Sequence, residues 1–251
     1  MSKQLDSIDM HILEALGIDG PRNVTKIARK LGMPAETVRD RVKRLKSHFS
    51  LRFRANIYHT FLGLKKTFVS AKATPGNEGL LQECLKANGY WLYLSACYGR
   101  AESFYGIYGI PIDHTREFKR FLAETRKLGI AENIDISWST CLHTVNLTDT
   151  WFDYELNTWV FRWNEWSESI ETQGAELPKT LIEPDGYPQK ADMIDVIMLK
   201  ELEKDGTIKL CDVAKILNVR PQVVQYHYKN HVIGKELIEG FAVLLPSLYR
   251  V

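Results

Sequence analysis

Apolar residues recur at helical spacing in two adjacent runs near the start of the chain. In Val24–Leu31 they fall at Val24, Ile27, Ala28 and Leu31; in the next run Val38, Val42 and Leu45 repeat at i, i+4 and i+7. Each set marks one helix face turned toward a core. Gly32 between the runs suits the residue just past a helix end, where positive φ is tolerated. Pro34 suits the first turn of the following helix, because its missing N–H would be unpaired there anyway. An earlier stripe of Ile8, Ile12, Leu13 and Leu16 predicts a helix over residues 5–20, capped by Asp6 or Ser7, with Asp9 in its first turn and Gly17 and Gly20 at its end. After the third helix, Ser50–Ile57 alternates basic and apolar residues, the pattern of a β wing with one face on the core.

The period then changes. Lys66–Thr74 reads as a strand and Asn77–Asn88 as a helix with Leu80, Leu81, Cys84 and Leu85 inward. Trp91–Tyr98 and Ser103–Ile110 read as a hairpin, Asp113–Leu128 as a helix with Phe118, Phe121, Leu122 and Thr125 inward, and Asn133–Leu142 as an alternating strand. The order β-α-β-β-α-β predicts a ferredoxin-like unit. Beyond it, Phe152, Leu156, Trp159, Trp163, Trp166 and Ile170 fall at intervals of 4, 3, 4, 3 and 4, predicting an aromatic amphipathic helix within Asp149–Glu171. Its acidic flanks (Asp153, Glu155, Glu165, Glu168, Glu171) would repel nucleic acid, so the stripe is read as packing against the sheet or forming a dimer seam. Residues 174–190, with three prolines, read as a linker or ordered loop.

Charge sharpens the first module. The 251-residue chain carries a net charge of only +2, yet Pro21–Arg54 holds eleven Lys and Arg against Glu36 and Asp40, a local +9. Charge concentrated on a helix-turn-helix suits DNA phosphate, with the second helix in the major groove. Glu36, Arg39 and Lys43 are the candidates for base readout, with Thr37 near the groove; Arg44, Lys46, Arg52 and Arg54 are the candidates for positioning phosphates. A 45% hydrophobic, 25% charged composition with no apolar run of membrane length fits a soluble globular protein and no membrane partner. The N-terminus has no signal-peptide core, and the four cysteines (Cys84, Cys97, Cys141, Cys211) form no CxxC pair, so a cytoplasmic protein with reduced thiols is expected.

LDSIDMHILEAL, then the helix-turn-helix, RVKRLK and a short wing ending near LGL, resembles the Lrp/AsnC family of transcription regulators over residues 5–64. The resemblance implies an α+β architecture: a winged helix-turn-helix joined to a ferredoxin-like effector-binding domain whose sheets pair between two chains. It thus implies double-stranded DNA and a second copy as partners, and a small effector as a possible third. The family's effector turn falls here at Tyr98, Gly99, Arg100, Ala101 and Glu102; the family usually shows acidic positions after the Gly, where this chain has Arg100.

Residues 192–231 repeat residues 6–45 at a constant offset of 186. Identities include Asp6/Asp192, Asp9/Asp195, Leu13/Leu199, Leu16/Leu202, Gly20/Gly206, Ala28/Ala214, Leu31/Leu217 and Val38/Val224, mostly at helix-facing or turn positions, as preservation of one fold requires. With a wing at Leu237–Leu245 that turns at Glu239-Gly240, this predicts a second, C-terminal winged helix-turn-helix, which usual members of the family lack. Its candidate DNA contacts are Gln222, Gln225, Tyr226 and Lys229; Gln can read adenine and Lys guanine. The expected domains are 1–60, 61–148, 149–190 and 191–251. His227 and His231 are spaced i, i+4, but no third ligand is evident beside them, so they are read as structural or phosphate-facing. No metal or cofactor site and no nucleophile–base motif, P-loop or GxGxxG is read. Siroheme decarboxylases resemble the same family and use His and basic residues to hold a tetrapyrrole; His114 and His143 are the candidates here, though nothing marks them. A transcription regulator is therefore expected, not an enzyme.

Overall fold

The computed structural model describes residues 4–98, 103–139, 147–172 and 186–247. They divide into two compact units, one formed by Met1–Ile57, Thr144–Leu177 and Ala191–Val251, the other by Tyr58–His143 and Pro178–Lys190.

The first unit opens with α1 (Ser7–Asp19), α2 (Val24–Lys30) and α3 (Ala35–Phe49). Asp6 caps α1 in a reciprocal box: its side chain accepts from the Asp9 N–H and the Asp9 side chain accepts from the Asp6 N–H. Ile12, Leu13, Leu16, Ile27, Ala28, Val38 and Leu45 close the core, as the stripes predict, whereas Ile8 stays exposed. Gly32 has the positive φ foreseen for it, and Ser50 ends α3 in the left-handed region. Pro34 is the N-cap of α3, one residue earlier than its predicted place.

The same plan returns in α7 (Met193–Lys204), α8 (Leu210–Leu217) and α9 (Pro221–His227). Asp192 and Asp195 repeat the capping box of Asp6 and Asp9. The ungapped repeat fails at one point. A π turn at Tyr228–Ile233 adds a residue, so Val232, not His231, fills the place of Leu45; both apolar side chains are fully buried.

The two predicted wings do not form two separate hairpins, and the turn expected at Glu239-Gly240 is absent, because that pair lies within one continuous strand. β1 (Arg52–Ile57) and β8 (Ile238–Leu244) pair antiparallel with each other in a two-stranded sheet. The left-handed Ser50 and Glu236, 186 positions apart, restore the offset after the π turn, so Ala55 lies opposite its own equivalent, Phe241, and Arg54↔Ala242 is mirrored by Asn56↔Gly240. A local two-fold axis therefore passes through the Ala55–Phe241 pair. In keeping with it, α1 packs against β8 and α7 against β1. The Phe241 ring reaches both members of one equivalent pair: a Cβ on Gly20 would sit 2.6 Å from it, and one on Gly206 3.1 Å. Arg22 Nη1 donates to Gly206 O at 2.6 Å and Nη2 donates to Ile208 O.

The aromatic stripe is not one helix. Phe152–Asp153 (β6) and Thr158–Trp159 (β7) form a short antiparallel pair, and only Trp163–Thr172 (α6) is helical. Tertiary packing overrides the helical spacing: Phe152 is buried in the α1–α3 core, stacks edge-on against Trp159 at 4.8 Å, and Asn157 Oδ1 accepts from the Leu5 N–H at 2.8 Å.

In the second unit, β2 (Leu64–Ala73), α4 (Glu78–Ala87), β3 (Trp91–Cys97), β4 (Ser103–Pro111), α5 (Thr115–Lys127) and β5 (Ala131–Trp138) follow the predicted order. Every neighbouring pair in the sheet β3-β4-β2-β5 is antiparallel, the ferredoxin-like arrangement. Leu81 and Leu85 of α4 and Phe118, Leu122 and Thr125 of α5 are buried with Val69, Ala71, Phe104 and Tyr108 of the sheet, while Leu80 faces outward. Tyr108 donates its hydroxyl to Leu85 O at 3.0 Å, and burial pushes its phenol up to about 12. On the alternate positions of the sheet, Tyr93 and Tyr105 are exposed.

Candidate nucleic-acid interface

The face of α3 opposite Val38 and Leu45 determines what this module can touch. Glu36, Arg39, Lys43 and Lys46 are exposed and Thr37 is half-buried, so the predicted readout residues share one accessible helix face. Arg39 Nη1 lies 2.8 Å from Glu36 Oε2, an exposed i, i+3 pair that water and salt weaken and that leaves the guanidinium able to exchange partners. On β1 the burial alternates, with Phe53 and Ala55 inward and Arg52 and Arg54 outward. Lys46, Arg52, Arg54 and Lys204 line a groove of about 430 Å³ beside this strand. These four cations outnumber the one acidic lining residue, Asp205, and the excess of positive charge suits a passing phosphate backbone.

Other cations of the +9 segment have structural duties. The Asp9 carboxylate is fully buried between two guanidinium groups: Arg41 Nη1 donates to Oδ1 at 2.9 Å, and Arg44 Nη2 pairs with Oδ2. Arg41 also bonds Asp6, at 2.7 and 2.8 Å. Burial raises the Asp6 carboxyl, but the hydrogen bonds from Arg41 and from the Asp9 N–H outweigh it and hold the group below its ordinary value. The same Asp6 contact is the main reason the Arg41 guanidinium is held above its own. Arg44, predicted as a phosphate contact, thus has Asp9 as its partner while remaining partly exposed. Lys26 and Lys30 meet Asp19 at 2.6 and 3.5 Å. Sequence reasoning missed this clamp although one signal was visible: Asp9 sits on the apolar stripe beside Ile12 and Leu13.

In the C-terminal half, Gln222, Gln225, Tyr226 and Lys229 are exposed around α9 and its π turn, so all four stand on one accessible stretch. Tyr226 also stacks edge-on to His227 and His231, at 5.8 and 5.6 Å. Of the predicted effector turn, Tyr98 is exposed; Gly99, Arg100 and Glu102 lie outside the described residues, as does His143. His114 packs its ring 6.3 Å from Tyr90 in the second unit, next to a cavity of about 310 Å³.

Three short helices, with the second and third joined by a tight glycine turn and an exposed basic face on the third, define a helix-turn-helix DNA-binding module. Residues 5–46 match the AsnC-type helix-turn-helix domain, so the module is of that type. Similar solved structures include a transcriptional regulator from Neisseria meningitidis in complex with L-Met, at 17% identity and a TM-score of 0.44 over 58% of this chain and 97% of that one. A Pyrococcus furiosus regulatory protein of the AsnC family is 16% identical, with a TM-score of 0.42, over 56% of this chain and 92% of that one. E. coli AsnC is 14% identical, with a TM-score of 0.40, over 56% and 97%. No curated protein sequence matches the chain. Among the described residues, no helix is long and apolar enough to cross a membrane.

Proposed function

We infer that this protein is a sequence-specific, DNA-binding transcription regulator of the Lrp/AsnC type, and that one chain offers DNA two recognition helices, α3 and α9. The observation that carries this reading is the AsnC-type helix-turn-helix at residues 5–46, whose third helix keeps Arg39, Lys43 and Lys46 exposed. The local two-fold through Ala55 and Phe241 supports the second part. It relates α9 to α3 within one chain as a symmetric dimer relates its two recognition helices. Arg39, Lys43 and Glu36 are assigned to base edges in one half-site, with Thr37 near the groove; Gln222, Gln225, Tyr226 and Lys229 serve the other. Lys46, Arg52 and Arg54 follow phosphates.

The exposed Tyr93 and Tyr105 on the sheet of the second unit supply an apolar face for pairing with a second copy. A homodimer would then present four recognition helices. A small effector is proposed for this chain too, as the Neisseria regulator was solved in complex with L-Met; its place, at the turn around Tyr98, rests on the sequence resemblance alone. The enzyme reading through His114 and His143 finds no support in the comparisons. The test is binding of purified protein to its own upstream DNA against random DNA across a salt series, followed by footprinting. A steep salt slope, at least a roughly thousandfold preference and paired protections about one helical turn apart, or a multiple of it, are expected. Absence of binding at low salt would overturn the reading. Protection of a single half-site per chain would remove α9 from it.

A further inference from the structure

The two repeats hold their buried aspartate with different chemistry. In the first, Asp9 is clamped by Arg41 and Arg44. In the second, Asp195 is equally buried, and the same two oxygens face histidines: His227 Nδ1 is 2.9 Å from Oδ1 and His231 Nδ1 is 3.0 Å from Oδ2. His227 stands at the equivalent of Arg41, and the residue added by the π turn brings His231 to the place of Arg44. Two permanent cations have been exchanged for two neutral-capable metal ligands. Asp192 completes the group, its Oδ2 lying 3.5 Å from His227 Nδ1 and 3.6 Å from His231 Nδ1.

We propose that Asp192, Asp195, His227 and His231 form a binding site for one divalent transition-metal ion of the zinc class, which ties the N-terminus of α7 to the turn after α9. One ligand atom from each residue lies within 4.8 Å of all the others. A tetrahedral zinc site with bonds of about 2.0–2.2 Å places its ligand atoms roughly 3.3–3.6 Å apart; the histidine–carboxylate spacings of 2.9–3.6 Å lie close to that, and the widest separation, within 4.8 Å, would have to close on binding. The capping box engages Asp192 Oδ1 and Asp195 Oδ2 with backbone N–H groups. It thereby fixes both carboxylates, with Asp192 Oδ2 and both Asp195 oxygens facing the imidazoles, Asp195 Oδ2 being shared with the Asp192 N–H; outer-shell hydrogen bonds play such an orienting role at metal sites. Nitrogen and oxygen donors in this mixture suit zinc better than calcium or magnesium, which favour oxygen-only shells. His227 and His231 are both largely shielded from solvent, which limits competition by water.

The test uses the full chain, stripped with chelator and titrated with zinc chloride alone by calorimetry, with cobalt(II) as a spectroscopic substitute. One zinc per chain, a zinc-dependent rise in melting temperature and visible cobalt bands of tetrahedral intensity are expected. The double variant His227→Arg, His231→Arg rebuilds the clamp of the first repeat, so it should keep its melting temperature without metal and lose the zinc effect. Should that variant not fold, His231→Gln takes its place. Loss of a ligand should weaken binding by more than the roughly 10–100-fold that an outer-shell partner costs. The proposal is overturned if the native chain neither binds zinc nor melts higher with it. It also fails if the arginine or glutamine variant binds zinc unchanged, or if stability follows pH alone with no response to zinc.

Discussion

Replacing Gly20 by alanine tests the pairing of the two repeats at its tightest point. Gly20 has φ 80° and ψ 160°, a region essentially reserved for glycine, and forcing another residue there costs about 1–3 kcal/mol. The new methyl would also sit 2.6 Å from Phe241 Cε2, inside contact distance, and the ring has little room because Phe241 is itself buried. Overpacking of this kind costs about 1–3 kcal/mol. Gly20→Ala should therefore destabilise the protein by about 2–6 kcal/mol in urea unfolding. Phe241→Ala alone should cost about 3–5 kcal/mol through the lost ring and its cavity. The informative quantity is the double variant. Removing the ring relieves the clash but not the backbone strain, so the two costs should fall short of additivity by about 1–3 kcal/mol. Strict additivity, with the two residues 221 positions apart, would mean that β8 does not lie on the end of α1 in solution and would refute the two-fold arrangement.

Arg39→Ala should weaken operator binding by about 1–3 kcal/mol and relax specificity at one position, whereas Arg54→Ala should weaken binding to all sequences and lower the salt slope by about one; binding titrations on operator and random DNA separate the two. Asp6 has a depressed carboxyl in the folded protein, so its stabilising contribution is present above the ordinary carboxylate value near 3.8 and is lost as pH falls through the folded value; acid unfolding monitored by circular dichroism should show Asp6→Asn less acid-sensitive than the native chain. Tyr108 runs the other way: an unfolded phenol ionises near 10 and the buried one at about 12, so its contribution is full below 10 and fades as pH rises toward 12, which ultraviolet difference titration of Tyr108→Phe against the native chain would detect.

Elements whose stability is local were readable from the chain. The stripes of α3 and α5 and the alternation of β5 report a single buried face, and each face is where the spacing puts it; α1 is buried more widely than its stripe, with Met10 and Ala15 inward and Ile8 exposed. Alternation in Arg52–Ile57 correctly buried Phe53 and Ala55, but it says nothing about which strand lies alongside. A hairpin partner is the default, and the actual partner is 186 residues away. The aromatic stripe failed for the opposite reason: Phe152 and Trp159 have helical spacing, yet each gains more from the core of the first repeat than from a helix turn. The outward residues of α3 followed from its stripe, whereas the employment of Arg41 and Arg44 depended on the depth of Asp9. The i, i+4 histidines were visible, but their oxygen partners lie more than thirty residues earlier on another helix, beyond the reach of any local motif.

At the Ala55–Phe241 pair the two halves meet their own equivalents. In an isologous homodimer an axis position is filled by the same residue twice, so two alanines would leave a void or two phenylalanines would collide. A tandem repeat in one polypeptide escapes that restriction: a single aromatic ring can fill the space for both sides, with the smallest of chiral side chains facing it. The same freedom extends outward to every position of the repeat. Arg39 and Gln225 are free to change one without the other, so under the proposed assignment of α3 and α9 to two half-sites the DNA selected need not read the same on both strands.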